Sequence, residues 1–264
     1  MLEEKSFHHR LCARLKRLVF SLSEMSNRFQ EYHESDMAGR KVVEVYLDLL
    51  SQPCRAVHIF LNHNKIPHMV KTVALRKGEN KTPEFTKLNP MQKVPVMVDN
   101  GFVLTESDAI LKYLATTYKV PEHWYPQQPE RRARVDEYTA WHHTNTRPHA
   151  AKVFIMEVLL PRMTGQPPDP AKLERALAEL GDTLGKLETM FLKRQPFLCG
   201  DDITLADLLA ACELMQPLGG GRDVLKDRPL LVAWKSRVQS ALKDSFDEAH
   251  GVLYRLRDKS RAKL

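Results

Sequence analysis

The sequence predicts an α/β domain followed by an all-helical domain. Short β-forming runs alternate with helical patterns between about residues 41 and 118. A proline-rich stretch from Val120-Pro121 to Pro129 follows, and past it the apolar residues recur at three- to four-residue spacing. The length of 264 residues lies between one and two domains of about 150 residues each.

Val42 to Leu49 reads as the first strand, because Val42, Val43, Val45, Tyr46 and Leu47 are β-formers. Ser51-Gln52-Pro53 interrupts it, and Pro53 suits the first turn of a helix that runs from about Cys54 to Asn64. Ser51 therefore stands at a strand-to-helix junction. His68 to Val73 is a second strand, and a return after a crossover helix makes a parallel βαβ unit. Lys77 to Lys81 is a turn, Thr82 caps a short helix, and Asn89-Pro90 ends it. Val94 to Val98 and Phe102 to Leu104 are strands joined by an Asp99-Asn100-Gly101 turn. Thr105 is the expected cap of the next helix, with Asp108 three residues on.

In the second half, one long helix is expected from Glu130 to Arg147, bent or restarted at Pro148 and ended by Pro161 and Gly165. Asp169-Pro170 opens a helix to about Leu192, carried by Leu173, Leu177, Leu180, Leu184 and Leu187. Thr204-x-x-Asp207 is a capping box, read as structural. Arg228-Pro229 to Leu242 and Phe246 to Arg257 complete the set.

Composition removes several classes. No run approaches the ~20 apolar residues of a membrane span. The four cysteines, Cys12, Cys54, Cys199 and Cys212, are too few for a disulfide scaffold and show no C-x-x-C spacing, so no metal is expected. His142, His143 and His149 lack a carboxylate or cysteine partner in a metal motif. The net charge of +7, from 40 basic and 33 acidic residues, is scattered rather than clustered. It suits an anionic small molecule better than a nucleic acid. Residues 1–40 stand apart. Arg10, Arg14 and Arg17 with their leucines suggest a marginal amphipathic helix, but Glu3 and Glu4 oppose a targeting segment, and a disordered extension is expected.

By its type alone, Ser51 is either a helix cap or a hydroxyl aimed at a ligand. The wider pattern decides. Tyr46-Leu47-Asp48-Leu49-Leu50-Ser51-Gln52-Pro53-Cys54-Arg55-Ala56 resembles the theta class of glutathione transferases. Lys93-Val94-Pro95, Leu104-Thr105-Glu106-Ser107, Trp124-Tyr125-Pro126 and Arg132-Ala133-Arg134-Val135-Asp136-Glu137-Tyr138 agree with that class in order and spacing. The resemblance runs from about residue 43 to 255 and leaves residues 1–40 untouched. It implies the glutathione transferase fold: a thioredoxin-like N-terminal domain over 41–118, a linker over 119–129 and a helical electrophile-binding domain over 130–264.

The resemblance also implies roles. Ser51 is the catalytic residue, donating a hydrogen bond to the glutathione thiolate. A free thiol has a pKa of about 8.5, and only its thiolate is a strong nucleophile. Because position 51 is serine, dithiol exchange with Cys54 is disfavoured. Val94-Pro95 is expected to be cis, with the Val94 backbone pairing to the cysteinyl unit. Glu106 takes the γ-glutamyl ammonium and Ser107 its carboxylate, and Lys93 lies near the glycyl carboxylate. Asn80 stands where the human-type pattern has histidine, so that end can be held by a hydrogen bond without a charge. Leu47, His142, Asn145, Thr146, Arg147 and Trp234 are the candidate walls of the electrophile pocket, between the domains.

The expected activity is conjugation of glutathione, as cosubstrate, to small electrophiles, with peroxidase- or dehalogenase-type reactions as variants. No permanently bound cofactor is expected. A homodimer in the cytoplasm, with no nucleic-acid or membrane partner, fits the resemblance. The rival reading is a non-catalytic transferase-like module that binds ligands or proteins. Theta relatives often carry a longer C-terminal helix, and a chain ending at Leu264 implies a more open pocket.

Overall fold

Four strands form one mixed sheet: β1 (Val43–Leu47), β2 (His68–Thr72), β3 (Val96–Asp99) and β4 (Phe102–Thr105), in the order β2-β1-β3-β4. The computed structural model describes residues 42–193 and 195–261, so the expectations for residues 1–40 lie outside the described residues. β1 and β2 are parallel, with Val45 beside Val70, and helix α1 (Gln52–His63) makes the crossover that a parallel pair requires. β3 runs antiparallel to β1, with Val45 opposite Met97, and β4 antiparallel to β3. The β3–β4 turn places Asn100 at φ +50° and Gly101 at φ +87°, two left-handed residues of the kind a tight hairpin takes from an Asn-Gly pair. Burial of Val43, Val45 and Leu47 alternates along β1, and Val57, Phe60 and Leu61 of α1 are buried, with the Phe60 ring edge-on to Trp124.

Helix α2 (Pro83–Leu88) is capped by Thr82, whose Oγ1 accepts from the Phe85 N–H at 3.3 Å. Helix α3 (Ser107–Thr117) departs from expectation. Thr105 ends β4 instead of capping, and Glu106 is the N-cap with no side-chain capping hydrogen bond. Pairing of Thr105 with Val96 holds it in the sheet.

From Pro129 onward the regular elements of the described chain are helices, apart from an isolated β-bridge between Phe197 and Gly200: α4 (Pro129–His142), α5 (Thr146–Phe154), α6 (Leu160–Thr164), α7 (Pro170–Lys186), α8 (Leu205–Leu214), α9 (Pro229–Leu242) and α10 (Asp244–Arg261). The expected single helix to Arg147 is two, broken at residues 143–145, where Asn145 leaves helical geometry at φ −126° and ψ −85°. Pro148 sits inside the first turn of α5, where its missing N–H is harmless. Pro161 does not end the chain's helical course either. The helix widens to a π-turn over Ile155–Leu159, continues through Pro161 as α6, and stops at Gly165 with φ +71°. A second π-turn, Leu187–Leu192, extends α7. The last helix starts two residues before Phe246 and runs past Arg257.

All ten residues of α8 are buried, and α1, α4, α5 and α9 pack on it. The expected capping box is present. Asp207 accepts from the N–H groups of Leu198 (2.8 Å) and Thr204 (2.9 Å), from Thr204 Oγ1 (3.1 Å), and from Trp234 Nε1 (2.9 Å). That last bond corrects one expectation. Trp234 is fully buried and locked to Asp207 in the helical core, so it is no pocket wall.

Candidate active site

The strand register gathers the expected glutathione-binding residues at one end of the sheet. β1 ends at Leu47, beside Thr72 at the end of parallel β2. β3 begins at Val96, opposite Tyr46, and β4 ends at Thr105, opposite Val96. The segments leaving this end carry Ser51 after β1, Asn80 after β2, Lys93 and Val94 before β3, and Glu106 and Ser107 after β4. The N-termini of α1 and α3 lie there too, adding partial positive charge and unpaired N–H groups.

Ser51 is the N-cap of α1, at φ −84° and ψ 126°, yet its side chain makes no capping hydrogen bond. Its backbone is fully engaged: the N–H donates to Asp48 O at 2.9 Å and the carbonyl accepts from Arg55 N at 3.1 Å. The hydroxyl lies close enough to the Cys54 thiol to exert a lowering pull on its pKa. Burial pushes that thiol up to about 11, against the pull of Ser51 and the Asp48 backbone, so Cys54 stays protonated and unreactive near neutral pH. Asp48 shapes the turn: Oδ1 accepts from Leu50 N at 2.9 Å and Oδ2 from Leu75 N at 3.0 Å, tying the Ser51 loop to the loop after β2.

The Val94–Pro95 peptide is cis, as expected. Ahead of it, buried Asn89 donates through Nδ2 to Lys93 O at 2.7 Å. Asn80 donates to Gln92 O at 2.8 Å, so at least one of its amide protons serves this loop. The Lys93 side chain is exposed. Glu106 sits at φ +65° and ψ 117°, a conformation that costs a non-glycine residue about 1–3 kcal/mol and clusters at functional sites. Its neighbour Ser107 has a buried Oγ with no hydrogen-bond partner among the described residues, at the mouth of α3. An unpaired hydroxyl at a helix N-terminus is suited to an anion.

Beside Ser51 opens a cavity of about 640 Å³, bordered by Leu50 and Gln52 from the α1 junction, Phe154 and Ile155 from the helical half, and Gln216. Arg76 and Arg162 add positive charge at its edge. Of the six residues expected to wall the electrophile pocket, none lines this cavity. Leu47 belongs to the sheet core. His142 is buried, stacked on Tyr138 with ring centroids 5.8 Å apart, and its Nδ1 lies 2.6 Å from Thr139 O. Desolvation holds its pKa down to about 3, so it is neutral. Thr146 is buried against the Tyr138 hydroxyl. Asn145 bonds back to Trp141 O at 2.9 Å, and Arg147 approaches buried Glu213 at 4.0 Å. Arg76, Phe154, Arg162 and Gln216 were not anticipated. Their sequence contexts read as ordinary helix or turn, and only the tertiary packing turns them toward Ser51. Among the described residues, no cluster of His, Cys, Asp and Glu gathers as metal ligands, and no helix is long and apolar enough to cross a membrane. A second cavity of about 590 Å³ lies along α7 and contains none of the expected site residues.

Residues 51–117 match the family model of the glutathione S-transferase N-terminal domain, and residues 151–241 that of the C-terminal domain. The chain is 51% identical over 218 residues to glutathione S-transferase theta-1 of Mus musculus, covering 82% of this chain and 91% of that one. The apo form of human glutathione S-transferase T1-1 superposes with a TM-score of 0.79 at 48% identity, covering 82% of this chain and 91% of the other. Human glutathione transferase theta-2, in complex with glutathione and an unknown ligand, superposes at 0.80 with 41% identity, covering 84% and 91%.

Proposed function

This chain belongs to the theta-class glutathione S-transferases, enzymes that conjugate glutathione to electrophiles, and on that premise we propose that Ser51 is the residue that activates the thiol. The observation that carries this reading is a hydroxyl at the α1 N-terminus that caps nothing and borders the cavity. The sulfur of glutathione meets the Ser51 hydroxyl and the positive end of α1. Both favour the thiolate over the thiol, so the proton leaves to solvent before reaction. The Ser51 O–H then donates to the sulfur anion. The thiolate attacks the electrophilic carbon, a C–S bond forms, and the leaving group departs with the bonding electron pair. Ser51 forms no covalent bond, and Cys54, kept protonated by burial, takes no part.

The remainder of the tripeptide is held along the same sheet end. The Val94 backbone pairs with the cysteinyl unit, Glu106 takes the γ-glutamyl ammonium, and Ser107 with the α3 N-terminus takes the adjoining carboxylate. Lys93 and Asn80 serve the glycyl end. The cavity past Ser51, apolar at Phe154 and Ile155 and cationic at Arg76 and Arg162, suits a small electrophile whose carbon carries a halide or sulfate leaving group. A hydroperoxide would instead be attacked at oxygen: the O–O bond breaks, an alcohol leaves, and a second glutathione displaces water from the sulfenic acid to give the disulfide. A neighbour, human theta-class transferase, is solved with the glutathione conjugate of 1-menaphthyl sulfate, which supports a sulfate leaving group. A homodimer acting in the cytoplasm accords with the family.

Conjugation kinetics test the reading. Ser51→Ala is expected to lower kcat/KM at neutral pH by about 10²-fold, in the range of a lost charge-stabilising donor, while Cys54→Ala leaves it within a few-fold. An unchanged rate in Ser51→Ala removes Ser51 from the mechanism.

A further inference from the structure

We propose that Gln216, working with Arg55, is a positioning residue for the conjugation reaction: it fixes the turn that presents the Ser51 hydroxyl to the bound thiol. This rests on the reading of Ser51 given above.

Arg55 is one turn into α1 and wholly buried. Its guanidinium faces back toward the turn before Ser51. Nη1 donates to Leu49 O at 2.9 Å and to Leu50 O at 3.3 Å, and Nη2 donates to Cys212 O at 2.9 Å and to Gln216 Oε1 at 2.6 Å. Gln216 stands just past α8 and is also buried. Its Nε2 donates to Leu50 O at 3.2 Å. The carbonyl immediately before Ser51 is thus gripped twice, by the arginine and by the glutamine the arginine holds. The far side of the clamp is anchored on α8, which has no exposed residue.

The turn itself has little freedom left. Asp48 takes the N–H groups of Leu50 and, through its backbone carbonyl, of Ser51. With both carbonyls of Leu49 and Leu50 fixed inward, the torsions leading to Ser51 are set, and the hydroxyl is its one group outside the backbone pairing. Hydrogen-bond catalysis is sensitive to such placement, since a donor moved by an ångström loses much of its effect on a developing charge. Gln216 also borders the cavity. From the helical half, its side chain thus reaches both the cavity and the Ser51 turn.

A glutamine is suited to this place because its amide both accepts from Arg55 and donates to Leu50 O. Glutamate can accept but not donate when ionised, and methionine has no donor and only a weakly accepting sulfur. The test is a double-mutant cycle on the full chain, with kcat/KM followed across pH using a small alkyl halide and glutathione. Gln216→Met and Gln216→Glu are each expected to lose about tenfold in kcat/KM, the scale of one lost buried hydrogen bond, and to move the acidic limb of the pH profile upward. In a Ser51→Ala background the same substitutions are expected to have little further effect, because they act through Ser51. Two results overturn the proposal: wild-type kinetics and pH profile in a folded Gln216 variant, or a full loss that persists in the Ser51→Ala background, which marks a merely structural role. If Gln216→Met does not fold, Gln216→Glu, which keeps the volume and the Arg55 contact, carries the same two readings. Failure of the Ser51 assignment is separate: it is seen as an unchanged profile in Ser51→Ala alone.

Discussion

At the residue scale, the Ser51 site is defined as much by what its neighbours cannot do as by the hydroxyl itself. Cys54 is three residues away, but burial lifts its thiol to about 11, so alkylating reagents at neutral pH are expected to leave it untouched in the folded protein. Mass spectrometry after iodoacetamide treatment checks this, and rapid labelling of Cys54 contradicts it. Ser107 is the complementary case: a buried hydroxyl without a partner, waiting at a helix N-terminus. Ser107→Ala is expected to raise KM for glutathione by about tenfold with little change in kcat, because it removes binding rather than chemistry. Isothermal titration with glutathione gives an independent reading of the same loss. The gathering of Ser51, Lys93, Val94, Glu106 and Ser107 at one end of the sheet was legible in the sequence, because each lies in a short motif at the end of a strand or the start of a helix. The expected electrophile walls were not, because they were chosen from helices whose rotation the sequence leaves open. His142 and Trp234 turn inward, one stacked on Tyr138 and the other bound to Asp207.

At the element scale, the parallel β1–β2 pair follows from the α1 crossover and the β3–β4 hairpin from the Asn100-Gly101 turn, and both were readable; the antiparallel docking of β3 on β1 carries no local signal. Helix ends were less so. Thr105 looked like a cap and is a strand end, because its cross-strand pairing with Val96 outweighs its capping propensity. The Asp207 hub was readable as a capping box, but not its third role as acceptor for Trp234. Thr204→Ala is expected to destabilise by about 1–2 kcal/mol through the lost cap. Asp207→Ala is expected to lose more, since it strands buried donors that each cost about 1–3 kcal/mol. Urea denaturation ranks the two, and an equal loss contradicts the hub. The helical half also makes close approaches: a Cβ at Gly220 would lie 2.8 Å from Val158 Cγ2, in the π-turn that borders the cavity. That contact is invisible to any local pattern.

At the scale of the whole molecule, buried ionisable groups far from solvent tie stability to pH. Burial raises Glu213 from 4.5 to about 7, against the lowering pull of Arg147 and Arg55. Folded, it therefore holds its proton across a range where the unfolded chain has released it, and stability falls as pH rises from about 4.5 to 7. Glu213→Gln removes this dependence, so the variant is expected to gain on the wild type as pH rises from 5 to 8 in thermal unfolding scans. A constant difference between the two across that range contradicts the assignment. His142 and His250 act in the opposite sense. Desolvation holds both near 3, so they stay neutral in the fold while the unfolded chain takes up protons below about 6.5, and stability is lost on acidification. None of this depends on the +7 net charge, which describes the surface an anionic tripeptide approaches.

If Ser51 acts as proposed, its hydroxyl favours the thiolate of bound glutathione. Titration of that thiolate by its ultraviolet absorbance, in the wild type and in Ser51→Ala saturated with glutathione, tests it most directly. The wild type is expected to hold the bound thiol at least a unit below the value of about 8.5 for a free thiol, and Ser51→Ala to return it most of the way. The same depressed titration in both proteins would contradict the claim.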